Sequence, residues 1–258
     1  MNDKNTRLCS RCKNAGHDKR TCTWIDVSKY VTVIKNFICT SDSRLNFLKT
    51  QIKEMTESLP NVRVIVNYNT DENAKIVEKL YRKSVDNLDF RINLEKESWA
   101  KQTIELISSV DTPYIMYACE DTVWRGSAED WSDVINEAIV GKEVDFLLLG
   151  KIGKYSQRVE KLANSDMIGE YVVFYNSENA PSNVYSVDCF QKKDIFVDRL
   201  KEYIDEYGDH SAPNWFERYY SGRHDRSRGM TSLNLSCAIP KNIIRDEYHA
   251  DDDREFRW

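Results

Sequence analysis

The sequence predicts an α/β fold: a mostly parallel central sheet flanked by helices and preceded by a small metal-binding head. Three observations predict it. Short β-rich runs alternate with amphipathic helical runs from Tyr30 to Leu149, the pattern of strands joined by crossover helices. The run Tyr114–Cys119 (YIMYAC) is apolar on both faces, as a central parallel strand between two helix layers must be. Residues 9–22 bring Cys9, Cys12, His17 and Cys22 into the spacing C-x2-C-x4-H-x4-C.

The elements follow in order. Tyr30–Thr40 (YVTVIKNFICT) reads as a strand, with Val31, Val33, Ile34, Phe37 and Ile38 available for burial. Leu45–Leu59 carries Leu45, Leu48, Ile52, Met55 and Leu59 at helical spacing, and Pro60 ends the helix. Val62–Tyr68 is a second strand. Asn73–Lys83 is a second helix, with Ala74, Val77, Leu80 and Tyr81 on one face. Phe90–Leu94 is a short strand and Trp99–Val110 a helix; Pro113 opens the apolar run Tyr114–Cys119, and Glu120-Asp121 follow it. A helix at Ala128–Val140 and a strand at Val144–Leu149 complete the alternation.

After Gly153 the rhythm changes. Tyr171–Tyr175 and Val184–Phe190 read as strands that are antiparallel or at the sheet edge; Ile195–Tyr207 and Pro213–Tyr220 read as helices. No repeat and no Pro/Gly-rich linker divides this part. The expected organisation is a head at 1–26 and one domain at 27–258.

Composition narrows the class. The chain has 258 residues, 41% hydrophobic and 31% charged, enough for a sizeable core and too apolar for general disorder. With only 9 Gly and 5 Pro it is neither collagen-like nor low-complexity. No apolar run approaches the roughly 20 residues that span a bilayer, and MNDKNTRLCSRCK is not a signal peptide. No membrane role is expected. Seven cysteines, with three in one tight cluster, do not form a secreted disulfide framework. They read as a reducing compartment, cytoplasm or nucleus, with one metal site. Charge is uneven: residues 1–24 carry Lys4, Arg7, Arg11, Lys13, Lys19 and Arg20 against Asp3 and Asp18. That balance of +4 leaves −9 for the remainder of a chain at −5, a basic head on an acidic body.

Three thiolates and one imidazole are a closed tetrahedral shell for structural Zn2+. A peptide this short has no core, so the metal supplies its folding free energy. The spacing, with Gly16 before the His and Lys19-Arg20 before the last Cys, resembles the zinc knuckle of nucleic-acid-binding proteins. Ser10 and Lys13 stand where knuckles often have an aromatic and a Gly, which removes the usual base-stacking platform; Trp24, two residues past Cys22, is the substitute within reach. The resemblance implies DNA or RNA as a partner, or protein docking.

In an open parallel sheet, ligands bind outside the carboxyl ends of the strands. The polar residues there are Thr40-Ser41-Asp42 with Arg44, then Asn67 to Asp71, Glu95 to Lys101, and Glu120-Asp121. The chain has no GxGxxG and no GxxxxGK[ST], which disfavours a dinucleotide site or P-loop. Carboxylates remain, and they hold a diphosphate through a divalent cation.

Strand–SDSR–helix, then VIVNYNTDE, a helix and YIMYACEDTVW together resemble a GT-A-fold glycosyltransferase of the family-2-like type, over roughly residues 30–150. The resemblance implies a nucleotide-sugar donor, of the UDP type, with Mn2+ or Mg2+. Ser41 and Asp42 would lie near base and ribose, Asp71 on the base, and Lys101 near the donor. Glu120 and Asp121 would stand for the acidic metal motif; Thr122 follows where many relatives have another Asp. His249 in YHADDD would complete the metal shell. For the base of an inverting reaction, Glu217 in PNWFERYY and Asp188 in YSVDCF are the candidates. Three readings follow: transfer to a modified base in nucleic acid brought by the knuckle, transfer to a glycan or protein, and a catalytically silent nucleic-acid-binding protein.

Overall fold

The computed structural model describes residues 25–37, 42–69, 75, 78–79, 88–93, 99–118, 122–149, 168–176, 189–208, 235–241 and 245–247. After a 3-10 turn at Val27–Lys29 come β1 (Val31–Phe37), α1 (Asp42–Ser58), β2 (Arg63–Asn69) and β3 (Leu88–Asn93). Next are α2 (Trp99–Ser108), β4 (Tyr114–Ala118), β5 (Thr122–Trp124) and α3 (Ala128–Ile135), which runs on into a π-helical turn at Asn136–Gly141. Then come β6 (Phe146–Leu148), β7 (Val172–Asn176), β8 (Cys189–Lys192), α4 (Lys193–Tyr207), β9 (Ser236–Pro240) and β10 (Arg245–Glu247).

Eight strands form one sheet in the order β3-β2-β1-β4-β8-β6-β9-β7, and β5 pairs with β10 in a small second sheet. β1 to β4 are mutually parallel. β8 runs against both its neighbours, β4 and β6. β9 is parallel to β6, and the edge strand β7 is antiparallel to β9. The expected alternation up to Leu149 therefore holds within the described elements. β7 is antiparallel and at the edge, as its text suggested. β8 is antiparallel as well, and it lies in the middle of the sheet; it runs Cys189–Lys192, with residues 184–188 of the expected strand outside the described residues.

The period-2 alternation of the strands sorts side chains into two cores. Val31, Val33, Val64, Val66, Met116 and Ala118 face Ile52 and Met55 of α1 and Trp131, Val134 and Ile135 of α3. Ile34, Ile65, Ile115 and Tyr117 face Ala100, Leu106 and Ile107 of α2 and Phe196 and Leu200 of α4. Each strand is thus buried on both sides, which is why β4 reads as continuously apolar. Among the described residues, no helix is long and apolar enough to cross a membrane.

Two carboxylates fasten the second half. Glu137, in the π-helical turn, accepts from the backbone N–H groups of Glu170, Tyr171 and Val172 at 2.6, 2.6 and 3.0 Å. A Cβ at Gly169 would run into that carboxylate, so a side chain there would displace the clamp.

Asp145 ties β6, β8 and β9 together. Its carboxylate accepts from Lys192 Nζ at 2.8 Å and from Ser236 N and Oγ at 2.9 and 2.8 Å. Burial alone would push this carboxyl up; the hydrogen bonds from Lys192 and Ser236 outweigh it and hold it below the usual range. A depressed native pKa contributes stability above the unfolded value near 3.9, and that stability is lost as pH falls through the native value. Asp145→Asn is expected to cost about 1–3 kcal/mol at pH 7, with the gap to wild type closing below about pH 4. Urea unfolding at pH 7 and pH 3 measures it; an equal gap at both pH values would contradict the pairing. Cys189 and Cys237 are free, buried thiols. Burial, and then Asp145, push Cys237 up to about 12, so it stays a protonated packing residue.

Candidate active site

β1, β2, β3 and β4 point their carboxyl ends, Phe37, Asn69, Asn93 and Ala118, to one edge of the sheet. α1 starts from this edge at Asp42, α2 at Trp99 and β5 at Thr122. β8 runs the other way, so its first residue, Cys189, also lies at this edge, paired in register with Leu148. These eight element ends therefore converge where an open sheet binds its ligand.

The floor of the edge is held by aromatic contacts. Tyr117 in β4 is buried and receives the indole N–H of Trp99 at 2.8 Å. The two rings meet edge-to-face at 5.8 Å, and Phe196 of α4 lies 5.7 Å from Tyr117. This pins the first turn of α2 onto the end of β4. Lys101 is in that turn and is exposed.

β5 is clamped just as firmly. Trp131 of α3 donates its indole N–H to Arg125 O at 2.6 Å, and its ring lies 4.9 Å from that of Trp124. Glu54 of α1 accepts from the Trp124 backbone; burial raises its carboxyl above the usual value, and that hydrogen bond and Arg125 only partly offset the rise. β10 pairs antiparallel with β5 in the register Arg245↔Trp124, Asp246↔Val123 and Glu247↔Thr122. The link 119–121 is therefore tied at both ends, to buried Ala118 and to this small sheet.

Of the residues singled out from sequence, Lys101 is described with its side chain, and Asp42 by its backbone as the first residue of α1. Ser41, Asp71, Glu120, Asp121, Asp188, Glu217 and His249 lie outside the described residues, as do Cys9, Cys12, His17 and Cys22. Among the described residues, no three His, Cys, Asp or Glu side chains group so as to hold a metal.

Sequence reading passed over Lys35. It lies in β1, in register with Val66 and Ala118, and is 0% exposed. A basic residue inside the apolar run VTVIKNF was the available signal, since lysines are almost never fully buried without a partner. A cavity of about 560 Å3 lies at the opposite end of the sheet, lined by Tyr30, Tyr114, Glu143, Lys192 and Lys193 among others. Its two lysines are engaged, Lys192 by Asp145 and Lys193 by Val110 O at 2.9 Å. With carboxylates as its remaining charges, it does not suit a diphosphate.

No protein-family model matches this sequence, and no curated protein does. Solved structures do match in fold. S. aureus TarS 1–349 aligns at 15% identity with a TM-score of 0.55, covering 86% of this chain and 61% of that one. The same TarS fragment in complex with UDP-GlcNAc aligns at 15% identity and 0.55, covering 89% of this chain and 61% of that one. Mannosyltransferase PcManGT from Pyrobaculum calidifontis, in complex with GDP-Man and Mn2+, aligns at 13% and 0.53, covering 89% and 61%. This chain spans about three fifths of the length of each. The strand order, the antiparallel strand inserted after β4 and these alignments show that the chain has the GT-A fold of glycosyltransferases.

Proposed function

We propose that the protein is a metal-dependent glycosyltransferase that moves a sugar from a nucleotide-sugar donor, of the UDP type, to a hydroxyl acceptor. One observation carries the reading: the β5–β10 register. Glu247 faces Thr122, Asp121 precedes Thr122 directly, and His249 follows Glu247 by two residues, at most about 7 Å of chain. Asp121 precedes one strand of this pair in the sequence and His249 follows the other, which supports reading the acidic pair and the imidazole as one metal-binding group. Carboxylate oxygen suits Mn2+ or Mg2+, and a mannosyltransferase of like fold is solved in complex with GDP-Man and Mn2+. Such a metal would neutralise the departing diphosphate.

The other roles belong to this chain's own residues. Ser41 and Asp42, at the start of α1, would hold ribose and base, with Asp71 on the base. Lys101 would meet the diphosphate as a cation. Glu217 and Asp188 are the candidates for the base that deprotonates the acceptor; Asp188 directly precedes Cys189, the first residue of β8 at this edge. The UDP-GlcNAc complex of TarS supports a UDP-type donor.

The acceptor we propose is a modified base within a nucleic-acid strand. The basic charge of residues 1–24, together with the Cys9, Cys12, His17 and Cys22 spacing, supports it. Cys22 is four residues from Asp26, which caps the 3-10 turn entering β1. The head is therefore tethered at the amino end of β1, about 20 Å of strand away from the donor edge. A polymeric strand bridges that distance, and a free nucleoside does not.

Calorimetry with a panel of nucleotide diphosphates and nucleotide sugars, with and without Mn2+, tests the reading. Binding of one nucleotide class, at least tenfold tighter with Mn2+, is expected. No binding across the panel would sink the transferase reading.

A further inference from the structure

The cavity at the amino end of the sheet has walls that are fixed before any ligand arrives. Tyr114 donates its backbone N–H to Tyr30 O at 3.0 Å, and Lys193 donates its own to Pro113 O at 2.8 Å. The Tyr114 hydroxyl donates to Val144 O at 2.9 Å. These bonds join the approaches to β1, β4 and β6 to the start of α4. The space that they frame, about 560 Å3, falls within the range of small-molecule sites. Its apolar lining includes Tyr30, Tyr114, Ile139 and Ile195; Tyr114 and Ile139 are buried and the other two half-buried.

The charges favour a cation. Asp111, Glu143 and Asp194, all exposed, line the cavity with Lys192 and Lys193. Lys192 is neutralised by Asp145 at 2.8 Å, which leaves three carboxylates against one ammonium, Lys193, among the described residues. None of these three carboxylates makes an ion pair there. Nor are they grouped to chelate a bare metal ion. An elongated organic cation suits such a lining. Its stem lies on the apolar wall, and its charge meets a carboxylate or a tyrosine ring.

Glu143 adds a separate observation. It follows the π-helical turn, donates its backbone N–H to Ile139 O at 3.1 Å, and has φ of 50°. Among the described residues, no other non-glycine has a positive φ. Glycine takes this conformation past a helix end without steric cost, whereas a side chain there is strained. The chain instead sets a carboxylate at that point of the cavity wall, and strain of this kind collects where a ligand is held.

We propose that this cavity binds an organic cation with an apolar stem, an alkylguanidinium or alkylammonium, whose charge is met by Asp111 and Glu143. Such a group comes either from an arginine or lysine side chain of a protein partner or from a free polyamine. Asp194 has a further duty, since it sits in the first turn of α4 and offsets that helix's dipole. The site lies at the opposite end of the sheet from the donor edge and does not rest on the transferase reading.

Calorimetry on the full chain tests it with two probes, agmatine and a blocked tripeptide with a central arginine. At least one is expected to bind with Kd on the order of 0.1–1 mM. The same tripeptide with citrulline, which keeps the shape and removes the charge, is expected to bind at least about tenfold more weakly. Tighter binding of the arginine tripeptide points to a protein side chain, and tighter binding of agmatine to a free amine. Asp111→Asn and Glu143→Gly are each expected to weaken binding roughly 2–5-fold, and together about tenfold. Glu143→Gly also relieves the positive φ, so its melting temperature is expected at or above that of wild type, which separates lost binding from lost folding. No binding of either probe, equal binding of the citrulline tripeptide, or unchanged affinity in the double variant would each overturn the site.

Discussion

Asp121→Ala is expected to abolish Mn2+-dependent nucleotide binding, by at least about 100-fold or about 3 kcal/mol, and to leave the fold intact. Asp121 is in the short link between Ala118, which is 0% exposed, and Thr122, which pairs with Glu247. Packing is supplied on either side of it, by β4 and by the Trp124–Trp131 contact. Its removal therefore costs charge rather than core. A divalent cation beside a diphosphate needs carboxylate oxygen to hold it. Calorimetry with and without Mn2+, alongside a thermal melt, checks both halves. Nucleotide affinity within threefold of wild type would remove Asp121 from the donor site.

Trp131→Ala is expected to be the most damaging single change to stability, about 3–5 kcal/mol. Trp131 is 0% exposed, lies 4.9 Å from the Trp124 ring and 6.3 Å from Phe190, and donates to Arg125 O. Truncation opens a cavity between α3 and the sheet and leaves that carbonyl without its donor. At 2–4 °C per kcal/mol for a domain of this size, the melting temperature falls by roughly 6–20 °C. The same change frees β5, so donor affinity falls beyond what unfolding accounts for at low temperature. Trp131→Phe keeps most of the volume and loses the hydrogen bond, and is expected to recover most of the stability. A melting temperature within 2 °C of wild type for Trp131→Ala would contradict the clamp.

The first half of the fold was legible because its signals are local. In β1, Val33 and Ile34 enter opposite cores, and Ile52 and Met55 in α1, with Leu59 just past its end, recur at helical spacing. β5 and β10 were not legible: three residues each are too few to show a period of two. β9 ends in Pro240, which masks a strand in sequence. The central position of β8 is a non-local fact, set by partners at residues 114–116 and 146–148. In the site, the acidic pair after YIMYAC stood out because the strand before it is uninterrupted. Lys35 did not stand out, since only register and burial reveal that a lysine in VTVIKNF is inside.

The insertion of β8 also sets an order of assembly. β4 and β6 are not bonded to one another; each pairs instead with the four residues Cys189–Lys192. While the chain is being made, β1 to β4 can close among themselves, with β4 keeping one edge open until residue 192 has emerged. Among the described strands, β6 has no partner before β8 and β9 appear. Unpaired strand edges on a nascent chain recruit other chains. A ribosome stalled anywhere between Leu148 and Cys189 would thus hold a half-sheet with an adhesive rim, and shortened forms ending there are expected to aggregate rather than accumulate as small soluble domains.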